Sequence, residues 1–409
     1  MTPWLDRGTH RRWLDDECRR LIGFSRRVAH PAGGAAYLTE DGTPDLGRGV
    51  HTWITARMLH VHSLGAALGL PGCTPLAQHM VDGLHGSLRD TTHGGWHHHV
   101  SPDGAADAAA GKSCYDHAFV LLGLSSGSVI GLDGADRLLA DASAVFLERF
   151  WDDAAGRCRD GWSADWSAVE AYRGLNANMH AVEAMLAVAD ATDDPAWRVR
   201  AERIAQWAVD LAGQHDGRLP EHFDEAWTPL LDHHRDRPDD PFKPYGATVG
   251  HGLEWSRLLL HVEAASPESG RSDLLAASRL LFDRAVLDGW AADGRPGFVY
   301  TTDWTGAPVV TARMHWVAAE AIAAAAALYR RTGEESYLVR YREWWDHVAQ
   351  HFIDTDAGSW WHQLDPTGRP VEQVWPGKPD LYHAVQATLL PRGPLAPSLT
   401  SAVADGYLG

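Results

Sequence analysis

The feature that most restricts this chain is a polar mark that returns at nearly constant spacing: Arg57, His117, His180, His251, His315 and His383 are separated by 60, 63, 71, 64 and 68 residues. Each mark falls near the start of a stretch that is small or apolar almost all round, such as NANMHAVEAMLAVADAT (176–192) or the alanine-rich run from Met314 to Arg331. Helices of that composition are buried on every side. Between them lie amphipathic stretches such as PAWRVRAERIAQWAVDLAG (195–213), whose Arg/Glu/Asp face belongs to an outer layer. Apolar spacing of three and four residues, punctuated by Gly, Pro and Asp, predicts helices near 9–30, 49–67, 74–89, 113–127, 133–150, 174–192, 195–213, 248–265, 271–288, 311–331, 334–353 and 380–391.

The repeating unit is a helical hairpin with its connection, and six such units fill the chain. Five connections share a glycine and aromatic signature, GGWHHHV (94–100), GRCRDGW (156–162), GRLPEHF (217–223), GRPGFVY (294–300) and GSWWHQL (358–364), which reads as short β-hairpins on one rim. No Ser/Gly tract, Pro-rich spacer or charge block divides the sequence. The expected fold is therefore all-α: an (α/α)6 barrel of six inner and six outer helices, forming a single catalytic domain over residues 1–409. An open α-solenoid is the alternative, and it strings the polar marks along a groove. In the closed ring the inner-helix N-termini converge on the polar marks, adding partial positive charge worth up to about 1 kcal/mol per well-placed helix.

Charge excludes one class of partner. Lys+Arg number 36 against 54 Asp+Glu, a net charge of −18, whereas polyanion binding is driven by cations that release counterions. Nucleic acid is not expected, nor is a membrane: no apolar run approaches the roughly 18 to 20 residues needed to span a bilayer. The N-terminal segment carries charges where a secretory signal needs its apolar stretch, so a soluble, cytoplasmic protein is expected. Cys18, Cys73, Cys114 and Cys158 form no CxxC pair and read as buried thiols rather than disulfides or a zinc site. The 24 His and 19 Trp suit a carbohydrate, because indole stacks on the apolar faces of a sugar and imidazole moves protons near neutral pH. Nothing in the sequence specifies an oligomeric state.

Four segments then become informative together: WITARM (53–58), NANMHAVEA (176–184), GHGLEWSRLL (250–259) and GKPDLYH (377–383). In this order and spacing they resemble the N-acylglucosamine 2-epimerase superfamily, most closely its mannose isomerase and sulfoquinovose isomerase branch. The resemblance spans nearly the whole chain. It implies a cofactor-independent aldose-ketose isomerase or 2-epimerase acting on a monosaccharide, with no metal. Carried over residue by residue, it points to Arg57, Asn176, His180, His251, Glu254 and His383 as the polar centre.

The chemistry accounts for those residue types. Turning mannose into fructose requires ring opening, removal of the C2 proton and delivery of a proton to C1 through a cis-enediol. A positioned general base contributes about 10²- to 10⁴-fold, whereas enzymes reach about 10⁶-fold or more, so one histidine is not the whole mechanism. Arg57, permanently cationic, is placed on the developing enediolate oxygen. His383 is assigned to C2/C1 proton transfer and His251 to ring opening or the partner acid/base role. Glu254, three residues after His251 on the same helical face, orients a ring or binds a sugar hydroxyl.

Other residues divide between pocket and packing. Trp53, Tyr115, Asp116, Trp316 and Glu320 are candidates to bind sugar, each with a packing role as the alternative, and His117 is the barrel seam or a hydroxyl ligand. His97, His98 and His99 alternate in direction along an extended segment, so they read as rim histidines rather than a metal cluster. Asp152/Asp153 and Asp239/Asp240 read as solvated turns. The long connection HRDRPDDPFKPYG (234–246) reads as a lid, and its Arg235, Arg237 and Lys243 keep a sulfonated sugar open as substrate. Asp116, Glu254 and Glu320 also permit an (α/α)6 glycoside hydrolase, which needs two carboxyl groups flanking the bond. A noncatalytic sugar-binding protein is the third reading.

Overall fold

A computed structural model of the chain describes residues 2–267, 270–374 and 376–408. The first half contributes α1 (Gly8–Phe24), α2 (Thr52–Ala67), α3 (Cys73–His85), α4 (Cys114–Val129), α5 (Ala135–Val145) and α6 (Leu175–Thr192). The second half contributes α7 (Ala196–Gln214), α8 (Val249–Ala265), α9 (Ser272–Gly289), α10 (His315–Thr332), α11 (Glu335–His351) and α12 (Tyr382–Leu389). The six even-numbered helices touch in the cyclic order α2, α4, α6, α8, α10, α12 and back to α2. The ring is closed, which removes the open solenoid from consideration. Helices α3, α5, α7, α9 and α11 each pack outside the inner helix they adjoin in sequence, and α1 packs outside α12. The chain ends thus close the ring, with Trp360 Nε1 donating to Glu17 of α1 (2.7 Å).

Composition fixes the layers. In α10 every residue from Val317 to Leu328 is buried, and its alanines let neighbouring inner helices approach. Truncating a large side chain in such a layer, for example Leu253, costs about 2–5 kcal/mol.

Several helix starts predicted from periodicity lie too early. Residues 49–51, 313–314 and 380–381 precede their helices, the first two as strands, because the chain must cross the rim extended before it turns inward. The first helix stops at Phe24 rather than near residue 30, and residues 29 and 35 form a bridge. A short thirteenth helix, α13 (Leu399–Ala404), was not legible from periodicity; it packs on α2, α4 and α6 at the far end of the barrel.

The rim strands do one repeated job. Short antiparallel pairs join the residues before an inner helix to the hairpin after the next outer helix, as in Arg173–Gly174 with His222–Phe223 or Arg313–Met314 with Gln363–Leu364. The first N–H of five inner helices then donates to a hairpin carbonyl: Thr52 to His98 (3.1 Å), Cys114 to Asp160 (2.7 Å), Leu175 to Glu221 (3.0 Å), Val249 to Tyr300 (3.1 Å) and His315 to His362 (3.1 Å). Each bond satisfies a donor that a helix start leaves free. It also brings the side chain of the hairpin residue to an equivalent place at the barrel mouth.

Candidate active site

Helical geometry builds the site in layers. The second residues of the inner helices, Trp53, Tyr115, Asn176, Gly250, Trp316 and His383, form the upper ring. One turn deeper, at the sixth positions, lie Arg57, Phe119, His180, Glu254 and Glu320, since residues four apart share a helical face. Except for Gly250, Phe119 and Glu320, all of these line one cavity of about 710 Å3 including its mouth. The glycine serves Trp316: a Cβ on Gly250 would lie 2.3 Å from the indole. The indole therefore sits between His251 (ring centroids 5.2 Å apart) and His383 (5.7 Å).

Both histidines carry a carboxylate on Nδ1. His251 bonds Glu221 Oε1 at 2.9 Å, and His383 bonds Glu320 Oε1 at 2.9 Å. With a carboxylate accepting at Nδ1–H, the neutral form of each ring has its lone pair on Nε2, where it can accept a proton. Burial, reinforced by Arg57, holds the His383 imidazole well below its ordinary pKa, so it is neutral at physiological pH. His180 is depressed in the same way, by burial and then by Arg57.

Arg57 is nearly enclosed. Its Nη1 donates to Asp380 Oδ2 (3.2 Å) and its Nη2 to the Tyr115 hydroxyl (2.7 Å), with the Phe119 ring 4.2 Å from the guanidinium carbon. Burial opposes its charge, but Tyr115 and Asp380 more than compensate and raise its pKa. Glu254 differs: neither carboxyl oxygen has a hydrogen-bond partner, and the nearest His180 nitrogen is 3.7 Å away. Burial and the neighbouring Glu320 push its pKa well above the usual carboxyl range, so it is a neutral acid facing the cavity.

The mouth is covered by residues 241–244, of which Pro241, Phe242 and Pro244 line the cavity, and Phe242 meets Trp53 and Tyr115 edge-on. The cations of this connection turn away. Arg235 and Arg237 side chains are 70% and 62% exposed, and Lys243 lies 3.9 Å above the Tyr172 ring. Arg57 is the cation that lines the cavity among the described residues, and Asp380 already neutralises it.

The sequence reading needs two corrections here. Asp116 does not reach the cavity: it is fully buried at the third position of α4, where Oδ2 accepts from Ser113 Oγ (2.6 Å) and pairs with His98 Nδ1 (2.7 Å). Glu320 lies behind His383 rather than on the wall. Of the three acids that suggested a hydrolase, only Glu254 lines the cavity. His117 belongs to the seam, with Nδ1 donating to the Ser113 carbonyl (2.7 Å) and Nε2 accepting from Trp96 N–H (3.2 Å). His98 and His99 go to separate partners, Asp116 and the Arg48 carbonyl. Asp152 and Asp240 accept backbone N–H groups within turns.

Glu221, Tyr300, His362 and Asp380 were not singled out from the sequence. His362 stacks on His315 (3.9 Å), and both line the cavity beside Asp380. Burial lowers the His315 pKa to about 4. A signal was present: the fifth residue of four of the five glycine-marked connections is His98, Asp160, Glu221 or His362, always ionisable. Ligand atoms of Glu254, Glu320 and His383 lie within 4.8 Å of one another, in the manner of a metal site. The Arg257 guanidinium, 2.9 Å from Glu320 and 3.6 Å from Glu254, fills the cation's place.

A family model described as N-acylglucosamine 2-epimerase matches residues 33–387. A D-mannose isomerase of Thermobifida fusca is 52% identical over 406 residues, covering 99% of each chain. A D-mannose isomerase of Pseudomonas cannabina pv. alisalensis is 46% identical over 408 residues, covering 98% of this chain and 97% of that one. A crystal structure of a D-mannose isomerase superposes with a TM-score of 0.86 at 27% identity, over 96% of this chain and 99% of that chain.

Proposed function

The chain belongs to the N-acylglucosamine 2-epimerase family, and on that premise we propose that it is a D-mannose isomerase, interconverting D-mannose and D-fructose without a cofactor as a single catalytic domain. The observation that carries this reading is the pair of carboxylate-held imidazoles, His251 and His383, lining one cavity on either side of Trp316. His251 moves the proton between O5 and O1 that opens the ring. His383 Nε2 takes the C2 proton, exchanges it with solvent and delivers a proton to C1, while a proton passes from O2 to O1. Glu254, a neutral acid with both oxygens unpartnered, is suited to that oxygen-to-oxygen transfer. Arg57 and the Tyr115 hydroxyl hold the enediolate oxygen. A general base of about 10²- to 10⁴-fold combined with preorganised donors of about 10²- to 10³-fold each reaches the scale of enzymatic acceleration.

Asn176, His180, Trp53 and Trp316 bind the sugar, the indoles through its apolar face. Neutralisation of Arg57 by Asp380 favours an uncharged aldose over a sulfonated one. The net charge of −18 argues against nucleic acid, and no helix among the described residues is long and apolar enough to cross a membrane. Four free, buried cysteines fit the reducing cytoplasm.

The test is incubation of the purified protein with D-mannose in the presence of a chelator, followed by product analysis. Fructose is the expected product. Because two proton acceptors face the cavity, delivery to the opposite face of C2 is the competing outcome: glucose without fructose would make the protein a 2-epimerase, and unchanged mannose would remove the proposal.

A further inference from the structure

Beneath the cavity floor one guanidinium is surrounded by carboxyl groups from three helices. Arg257 Nε donates to Glu320 Oε2 (2.9 Å), Nη2 lies 3.6 Å from Glu254 Oε1, and Nη1 lies 3.7 Å from Glu183 Oε1. Arg257, Glu254 and Glu320 are each 1% exposed. Two buried carboxylates and a partly buried third, Glu183, beside one cation would leave charge uncompensated, which such a site does not hold. The hydrogen bonds show how the conflict is resolved. Glu320 accepts from Arg257 and His383, and Glu183 accepts from the Tyr382 hydroxyl and Gln386. Glu254 accepts from no group.

Arg57 on α2 is the other cation that acts on Glu254, and it is already paired with Asp380; the remaining titratable neighbours supply none. They are His60 on α2, His180 on α6, His261 on α8, and Tyr382 and His383 on α12. Burial lowers His60 and His261 to about 4 and keeps His180 and His383 neutral. Lysine is a poor substitute for Arg257, because the guanidinium directs N–H groups at three acids from one rigid plane.

We propose that Arg257, which does not line the sugar cavity, is the positioning residue of the proton-transfer step: it leaves the buried proton on Glu254 and keeps Glu320 an acceptor, so that His383 carries hydrogen on Nδ1 and presents a bare Nε2 to the sugar. This deepens the isomerase reading and rests on it. Without the cation, the carboxyl cluster keeps protons to higher pH. A protonated Glu320 then offers an O–H to Nδ1, the hydrogen of His383 moves to Nε2, and the base is lost until rising pH empties the cluster.

The experiment compares wild type, Arg257→Met and Arg257→Lys on D-mannose across pH, with melting curves as a check on folding. Arg257→Met is expected to lose about 100-fold in kcat near neutral pH with KM nearly unchanged, and to regain about tenfold by about pH 9.5. Arg257→Lys, which keeps charge without the fork, is expected to lose about tenfold, with a weaker form of the same recovery at high pH. A pH profile of Arg257→Met parallel to wild type, or a loss confined to KM, overturns the proposal. Should Arg257→Met fail to fold, 15N NMR of histidine-labelled wild type and Arg257→Lys decides: hydrogen on His383 Nδ1 in wild type and mixed tautomers in the variant support it, and hydrogen on Nε2 in wild type overturns it. Failure of the wild type to convert mannose would instead remove the isomerase reading, while the tautomer readout still tests Arg257.

Discussion

Two imidazole–carboxylate pairs line the cavity on either side of Trp316, alike in their bond and different in their support. His251 is held by Glu221, which comes from a rim hairpin; His383 is held by Glu320, which comes from the second turn of an inner helix, and the N···O distance is 2.9 Å in both. Behind Glu320 stands Arg257, whereas Glu221 has no guanidinium behind it among the described residues. The two pairs therefore suit different work. Moving protons between sugar oxygens tolerates a base held from a hairpin, because water also opens rings. Taking a proton from carbon requires a fixed tautomer, and that is where the buried cation is placed.

Substitutions test this division, beginning with the bases. His383→Asn is expected to lower kcat for mannose by about 10³- to 10⁴-fold, and His251→Asn by about 10²-fold, as read by fructose formation; equal losses would abolish the distinction between the pairs. Glu320→Gln is expected to cost about 10²-fold and Glu221→Gln about tenfold, because only the first also strips Arg257 of its 2.9 Å partner. Gly250→Ala pushes on the indole between the two imidazoles. It should cost about 1–3 kcal/mol of stability and lower both reaction steps together, measured by thermal melting and kcat.

The smallest effect is on stability against pH. The His383 pKa is lowered in the fold by burial, so unfolding takes up a proton below the ordinary imidazole pKa of about 6.5. The sign follows: its contribution is fully present above pH 6.5 and declines as pH falls, by at most about 1.4 kcal/mol per pH unit. His383→Asn should therefore melt with a shallower pH dependence than wild type between about pH 6.5 and 5.

Much of this was legible in the sequence because it is periodic. An inner helix must be apolar all round, so the layers followed from composition, and residues four apart share a face, so Trp53 with Arg57 and Asn176 with His180 could be placed together. Glu221 and Asp380 escaped because they sit outside helices, where side-chain direction depends on hairpin register. Asp116 was misread for a related reason: as the third helical residue it turns from the axis toward Ser113 and His98. The role of Glu320 behind the wall depended on which neighbour its carboxylate meets across the ring, and no spacing within one helix encodes that.

The central claim is that His383 removes the C2 proton of one open-chain sugar and protonates its C1, with solvent exchange in between. It is tested most directly by converting unlabelled D-mannose in D2O and locating deuterium in the fructose by NMR. The account predicts one deuterium at C1, introduced on a single face by the wild type, and none from His383→Asn. Fructose free of deuterium at C1, or labelling by His383→Asn at the wild-type rate, would contradict it.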